Sequence, residues 1–599
     1  MDRKSIIVLV VSFVLLMLWY PLVNRLYPPR PPGTNTVASA TNPISASPGA
    51  SAVTPVVSAP PPTASLVRPD SPEETVTLEN EDARYIFTSH GGGLKLMELK
   101  KYPEAVGCRD KKRSSTNNVA TLNTKAPVPA FALLGSDELQ GDGIFQLTKT
   151  ATGVRAEKAL PNGMHLMKEF RLGTNYLITA TVRFENRTDR PVRLSPQELV
   201  IGTATPISSH DDGLLMAMEW YNGAKAQRID GPWFANKTLG CFAGTPRTEF
   251  VGGSSNVVWA AVQNQFFTII AVPPTNAPAP QVLSRRIDLP PPSREEMTAN
   301  PKSIARPIGF QTAFLYPELS VAANTAVERQ YHVFAGPKEY KTLDRLAARL
   351  GNNMDLVMGF GGFFGFFAKA LLLSMNGLHA MGFSYALAII AITIIIKLLF
   401  WPLTNASTKS MKRMAALQPQ MKAIQEKYKD DPKKMNQKVM EFMKENKVNP
   451  AAGCLPILIQ LPIFFGFYTM LRSAIELRGA GFLWACDLSQ PDTVWIIPGL
   501  NFPLNPLPLI MGATQLWQMR LTPPSPGMDP LQQKMMQYMP LMFLFILYNF
   551  SSGLTLYWTV QNLLTIAQMK LTKASSAKSA PPAAPAPAAR PVTPPKKKK

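Results

Sequence analysis

Cysteine is scarce, with four in 599 residues and no C-x-x-C pair. That excludes a disulfide-scaffolded miniprotein and a zinc site built on paired cysteines. Charge is scarce too: Asp, Glu, Lys and Arg make up 17% of the chain, against about 25% in ordinary soluble domains. There is no P-loop, no H-E-x-x-H, no G-x-S-x-G and no G-x-G-x-x-G opening a helix after a strand, which removes the common nucleotide-driven and hydrolytic chemistries. The five histidines are scattered, and His210-Asp211-Asp212 reads as a solvated turn sooner than as part of a metal site. No metal, no cofactor and no catalytic set is expected, so the chain is not expected to be an enzyme. Any work on a partner is then driven by binding or by partition into lipid.

What the chain has is localised positive charge. The formal net charge is +22, yet residues 24–396 carry 36 Lys and Arg against 30 Asp and Glu. Residues 404–449 carry 11 against 5, and residues 570–599 carry 8 against none. Such concentration argues against a basic globule that binds DNA and favours short basic segments facing one compartment.

Long apolar runs explain the arrangement. Residues 5–23 (SIIVLVVSFVLLMLWYPLV) hold no charge and follow Arg3 and Lys4. The run is longer than the apolar region of a cleaved signal peptide and reads as an uncleaved anchor behind a cytoplasmic stub at 1–4. A Pro-rich stretch at 24–73 reads as an extended exterior linker. From residue 74 to 340 the texture is period-2 alternation: in YLITATVRF, Tyr176, Ile178, Ala180, Val182 and Phe184 share one face, and residues 256–272 read as a buried hairpin. Turn residues between the runs complete the pattern of a large all-β sandwich.

A connector at 341–381 includes the Phe-rich run 360–378, either an interfacial amphipathic helix or a span, with its Gly spacing favouring the former. Spans are then expected at 382–403, 451–471, 504–519, 536–550 and 553–570, the last two joined by a tight turn at Ser551-Ser552-Gly553. With the N-terminus inside, segments 1–4, 404–450, 520–535 and 571–599 lie inside and are all net positive, while the outside loop 472–503 sums to −1. The fold class is therefore an α-helical polytopic membrane protein of six spans, five of them a C-terminal core, with a large all-β exterior sandwich. Two compartments imply a bacterial inner membrane, with both termini cytoplasmic and the β domain periplasmic.

Lys397 is the one charge within the run 382–403, and the other expected spans hold no Asp or Glu. A cation at mid-bilayer costs ~2.5–3.5 kcal/mol, so it either snorkels to the headgroups or faces a hydrated interior. Gln460, Thr514, Gln515, Gln518, Asn549, Thr555, Thr559, Gln561 and Asn562 on the other spans suffice to line such an interior, though some serve as helix–helix glue. Inside, residues 411–450 read as two helices broken near Asp430-Asp431-Pro432, with Met411, Met414, Met421, Met435, Met440 and Met443 at helical spacings. That seam is either a plastic surface for apolar clients or the hairpin's own core. The tail ends in Lys596, Lys597, Lys598 and Lys599, a contact for anionic phospholipid or ribosomal RNA, or simply a solubilising charge.

The stretches VNPAAGCLPILIQLPIFFGFYTML (448–471), LQPQMKAIQEKYKDD (417–431), DPLQQKMMQYMP (529–540) and SSGLTLYWTVQNLLTIAQ (551–568) resemble, in order, the YidC/Oxa/Alb family of membrane-protein insertases. The anchor and exterior β domain are similar to the Gram-negative YidC branch. The resemblance implies an insertase and folding chaperone acting on nascent membrane proteins, alone or with the Sec translocon and its accessory subunits, with ribosome docking by the tail. It implies a substrate groove whose cation corresponds to Lys397, where the family usually has Arg; Lys keeps the charge without the guanidinium fork. Thr393 corresponds to a groove residue one turn earlier, and Gln460 and Gln515 join them as polar groups of the neighbouring spans. The slide that touches a substrate's apolar segment corresponds to Leu461, Pro462, Phe464, Tyr557 and Trp558. The β domain would be a β-supersandwich, and the hairpin at 404–450 a mobile cytoplasmic region.

Overall fold

A computed structural model of the chain describes residues 66–67, 70–106, 118–208, 211, 213–237, 244–299, 303–446, 455–497, 502–521, 535, 538 and 542–578. The expected anchor at 5–23, most of the linker, Cys108, Cys241, His210, Asp212, most of 520–541 and the four terminal lysines lie outside the described residues.

Alternating apolar residues build the first half. In Leu177–Asn186 every second residue is buried, and Ile178, Ala180, Val182 and Phe184 are each at most 1% exposed. This strand lies inside a nine-stranded antiparallel sheet whose order runs Ala226–Asp230, Ala217–Tyr221, Trp259–Gln263, Phe267–Val272, Ala326–Pro337, Leu177–Asn186, Met164–Leu172, Gly153–Ala159, Gln146–Lys149. The pairing of Trp259–Gln263 with Phe267–Val272 is the hairpin read from residues 256–272. A five-stranded sheet contains Glu249–Gly252, Gln281–Asp288, Ile308–Tyr316, Gln197–Ala204 and Leu133–Leu134 in that order. The two sheets face one another. Tyr331 of the larger sheet stacks on Phe314 of the smaller at 6.0 Å, and its hydroxyl donates to that of Tyr316 at 2.8 Å. Phe87, Phe131 and Phe170 continue this aromatic layer. Each such side chain, fully withdrawn from water, contributes about 1.5–3 kcal/mol.

The sandwich also buries charge. Glu198 and Arg285 form a two-pronged pair at 2.6 and 2.9 Å. Near the far edge, Lys338 Nζ donates to Gln263 Oε1 at 3.1 Å, and Gln263 Nε2 donates to Glu219 at 2.6 Å. Burial lifts the Glu219 carboxyl to about 7 and pushes the Lys338 ammonium well down, because either charge alone loses its hydration.

The chain then turns helical through α1 (Tyr340–Leu350), α2 (Gly362–Ala380), α3 (Tyr385–Leu399), α4 (Trp401–Ala416), α5 (Gln418–Lys427), α6 (Pro432–Glu445), α7 (Leu455–Ser473), α8 (Pro506–Leu521) and α9 (Ser552–Lys578). No seam separates the halves: one buried apolar cluster runs from Tyr331 and Trp259 through Leu343 and Met354 to Met375, Ile389, Phe467 and Leu554.

The stretch expected to span at 382–403 contains a bend. Helix α3 stops at Leu399, and α4 leaves it at 60°. Pro402 is the cause, since it has no N–H for the carbonyl four residues back and its ring clashes there. Among the described residues no single helix is long and apolar enough to cross a membrane, and α3 with α4 is the one bent pair that reaches that length and composition together. The count of six spans thus remains an expectation.

Glu219 yields a pH test. Its carboxyl is raised when folded, from 4.5 to about 7, so its contribution to stability is full below pH 4.5 and is lost as pH rises through about 7. Glu219→Gln should flatten thermal stability across that window by up to ~1.4 kcal/mol per pH unit. A wild-type curve no steeper than the variant's would show that Glu219 ionises freely.

Candidate functional site

Helix α3 is apolar on both faces, burying Ala386, Ala388, Ile389 and Ile392 in the core. It exposes Leu387, Ile395, Leu398 and Leu399, at 49, 57, 61 and 69%. It buries Thr393 and Lys397, at 1 and 7%. A soluble helix keeps its outer face polar and its lysines exposed. Ser384 caps its start by accepting from Leu387 N at 3.3 Å. Thr393 Oγ1 turns back to Ile389 O at 2.7 Å.

Lys397 Nζ donates to Thr565 Oγ1 at 2.8 Å, and among the described residues it has no ion-pair partner. Helix α9 supplies the rest of the polar lining. Tyr557, Gln561, Thr565 and Gln568 recur at steps of four, four and three along it, which places them on one face. Gln561 Nε2 donates to Gln460 Oε1 at 2.9 Å, and Gln460 donates to the Tyr557 hydroxyl. At the other end Gln568 Nε2 donates to Thr404 Oγ1 at 2.8 Å. Lys397, Gln460 and Thr393 thus lie along a seam between α3, α7 and α9.

The second face of α9 meets α8. Asn562 Nδ2 donates to Thr514 Oγ1 at 3.2 Å, and Trp558 Nε1 donates to Gln515 Oε1 at 3.1 Å. Gln515 therefore bonds across α8 and α9, one helix face away from Lys397. Trp558 packs on Phe464 at 4.9 Å. Tyr557 is 1% exposed and stacks on Phe467 at 4.3 Å, whereas Leu461 and Phe465 are 40 and 38% exposed. Pro462 lies within α7, half-buried. Of the slide residues, Leu461 faces outward, Phe464 and Trp558 are half-covered, and Tyr557 is interior. Helix α7 lies close on α2: a Cβ at Gly466 would fall 2.8 Å from Phe367 Cβ, an approach only a small residue permits.

The Met-rich segment divides. Asp431 caps α6 by accepting from Lys434 N at 3.1 Å, after the break expected near 430–432, while a further break at Leu417 separates α4 from α5. Met414, Met421 and Met443 form its core with Leu417, Val439 and Phe442. Met440 is 55% exposed, and Met411 and Met435 are half-buried. Half of the seam is core and the rest reaches the surface.

Thr565, Gln568 and Thr404 escaped the sequence reading. The 4-4-3 spacing from Tyr557 was the available signal, but what a threonine on that face touches depends on an element 168 residues away. Among the described residues no group of three His, Cys, Asp or Glu is placed to hold a metal ion. The geometry offers a cation, hydroxyls and amides beside an apolar surface: a place to receive a polar or acidic group next to lipid-like contacts.

Comparison with known proteins agrees in extent and order. The family described as 60Kd inner membrane protein matches residues 377–579, and the YidC periplasmic domain matches residues 75–373. The membrane protein insertase YidC of Syntrophus aciditrophicus is 31% identical over 95% of this chain and 98% of its own. That of Pelobacter propionicus is 46% identical over 42% of this chain and 46% of its own. A crystal structure titled active YidC insertase aligns over 85% of this chain and 95% of its own at 19% identity, with a TM-score of 0.33. By near full-length identity and by both matched domains, the chain belongs to the YidC family of bacterial inner-membrane protein insertases.

Proposed function

We propose that this chain moves nascent apolar segments from the cytoplasm into the inner membrane through the seam lined by Lys397, Thr393, Gln460, Gln561 and Thr565, without hydrolysing nucleotide. The supporting observation is the burial pattern of α3, with large aliphatic side chains exposed on one face and a lysine buried on the other. In this reading the expected spans cross the membrane with both termini cytoplasmic and the β domain periplasmic. The α4–α6 region receives the segment, aided by ribosome contacts of the basic tail and by anionic phospholipids. Lys397 exchanges its Thr565 partner for an acid in the substrate's leading polar stretch. The apolar segment then leaves along Leu461, Pro462, Phe464 and Trp558, with Tyr557 packed behind them, driven by partition at ~25 cal/mol per Å² of apolar surface. Longer clients pass in company with the Sec translocon and its accessory subunits.

The charge step predicts a graded series. In liposomes without nucleotide, Lys397→Arg should insert an acidic-tailed single-span substrate within about twofold of wild type. Lys397→Ala and Lys397→Glu should fall about tenfold, the effect of roughly 1.4 kcal/mol of lost pairing. A neutral-tailed substrate should be indifferent to all three. Protease protection of the tail reports the result; equal protection across the series would remove the electrostatic role.

The divided methionine seam gives a second test. Met440→Gln should weaken photocrosslinking of an arriving substrate to α6 while leaving the hairpin folded. Met421→Ala should instead loosen the hairpin by about 2–5 kcal/mol, seen as faster backbone exchange in α5 and α6. Undiminished crosslinking to the Met440 variant would assign the seam to packing alone.

A further inference from the structure

Between α7 and α8 the chain makes a compact unit, residues 474–492. Ala474, Leu477 and Leu488 are fully buried, and Ile475 and Ala485 nearly so. The unit closes on itself: Phe482 and Ala485 exchange backbone hydrogen bonds at 2.7 and 2.8 Å, and Leu488 N donates to Ala480 O at 2.8 Å. It makes two sets of contacts, on opposite partners.

Toward the β domain, Arg478 Nη2 donates to Glu104 O at 2.9 Å. Its guanidinium lies 5.7 and 5.5 Å from the rings of Phe266 and Phe267. These rings belong to the turn and strand at the centre of the nine-stranded sheet, and Tyr102 meets Phe267 edge-on at 5.5 Å. Gln490 Nε2 reaches Gln265 Oε1 at 3.4 Å. Arg478 is thereby anchored by a carbonyl and two aromatic faces, a desolvated setting that suits a guanidinium.

Toward α9, the unit satisfies the donors that a helix leaves open at its start. Ser552 N donates to Gln490 O at 2.7 Å, Gly553 N to Leu488 O at 2.9 Å, and Ser552 Oγ to Asp487 O at 2.9 Å. A Cβ on Gly553 would come within 2.9 Å of Leu471 and 3.0 Å of the Leu488 carbonyl. Helix α9 carries Tyr557, Trp558, Gln561 and Thr565, so its starting point fixes the height of the polar seam.

Between the two contact sets sits Cys486, which is disulfide-bonded.

We propose that residues 474–492 form a strut, anchored on the β domain by Arg478, that sets where the seam-bearing helix α9 begins. Arg478 is a positioning residue, acting on the seam through backbone carbonyls. The strut rests on the proposed groove only for its purpose; its mechanics are measured without substrate or insertion.

The test uses the full chain in lipid nanodiscs. Amide exchange reads the coupling. Arg478→Ala under reducing conditions should speed exchange in the first turns of α9 about tenfold, with the strands around Leu177–Asn186 unchanged. Arg478→Lys should restore most of the protection, because an ammonium still reaches Glu104 O and the two rings. Unchanged exchange in α9 after both the Cys486 disulfide and Arg478 are lost overturns the strut, whatever the insertion assay reports.

Discussion

The constraint on which the helical half depends is that a surface of leucine, isoleucine and phenylalanine must be matched by polar groups that find one another inside. Helix α3 cannot bury Lys397 without an acceptor, and Thr565 provides one. Helix α9 cannot offer a polar face to α3 and α7 unless Gln561, Gln460 and Tyr557 bond among themselves. Each hydrogen bond is modest in net terms, about 1 kcal/mol, while an unmet buried donor costs more. The seam therefore persists as a set. In the proposed function an incoming acidic group enters this set by exchange, since a hydroxyl is a weaker partner for an ammonium than a carboxylate is.

The β domain solves the same problem by other means. Its buried ionisable groups are paired tightly, as Glu198 with Arg285, or linked through an amide, as Glu219 to Lys338 through Gln263. Lys168, fully buried, donates to Gly91 O at 2.7 Å with the Phe145 ring 4.4 Å away. These groups have fixed partners and no neighbouring apolar exit. What distinguishes Lys397 is a single exchangeable hydroxyl and an aliphatic surface on the same helix.

Much of this was legible in the residues. The period-2 face of Tyr176 to Phe184 and the hairpin at 256–272 follow from side chains alternating across a pleat, a local rule that needs no knowledge of the rest of the fold. The helix break near Asp430-Asp431-Pro432 is likewise local, an Asp cap followed by Pro. Lys397 stood out because a charge within an apolar run has few explanations. Pro402 marked the bend equally well, though hydropathy, which averages over it, carries no sign of it. Two things were out of reach. Thr565 meets Lys397 only after α3 and α9 have packed, and nothing local distinguishes a seam threonine from a structural one such as Thr559, which bonds back to Thr555 O at 2.7 Å. The unit at 474–492 is built from carbonyls and ring faces, which leave almost no compositional trace.

The bend at Phe400 has a mechanical side. Helix α4 is 16 residues long, about 24 Å of rigid rod from that point. Its first turn is tied to the end of α3 through Phe400 O, which accepts from both the backbone and the hydroxyl of Thr404, at 2.9 and 3.0 Å. The same Thr404 hydroxyl takes the hydrogen bond of Gln568 at the end of the seam. A pivot of roughly 10° there carries the far end of α4 through about 4 Å. The Met-bearing hairpin beyond is thus the long arm of a lever whose short arm is hydrogen-bonded to the polar seam, and displacement at one end is geared to the other.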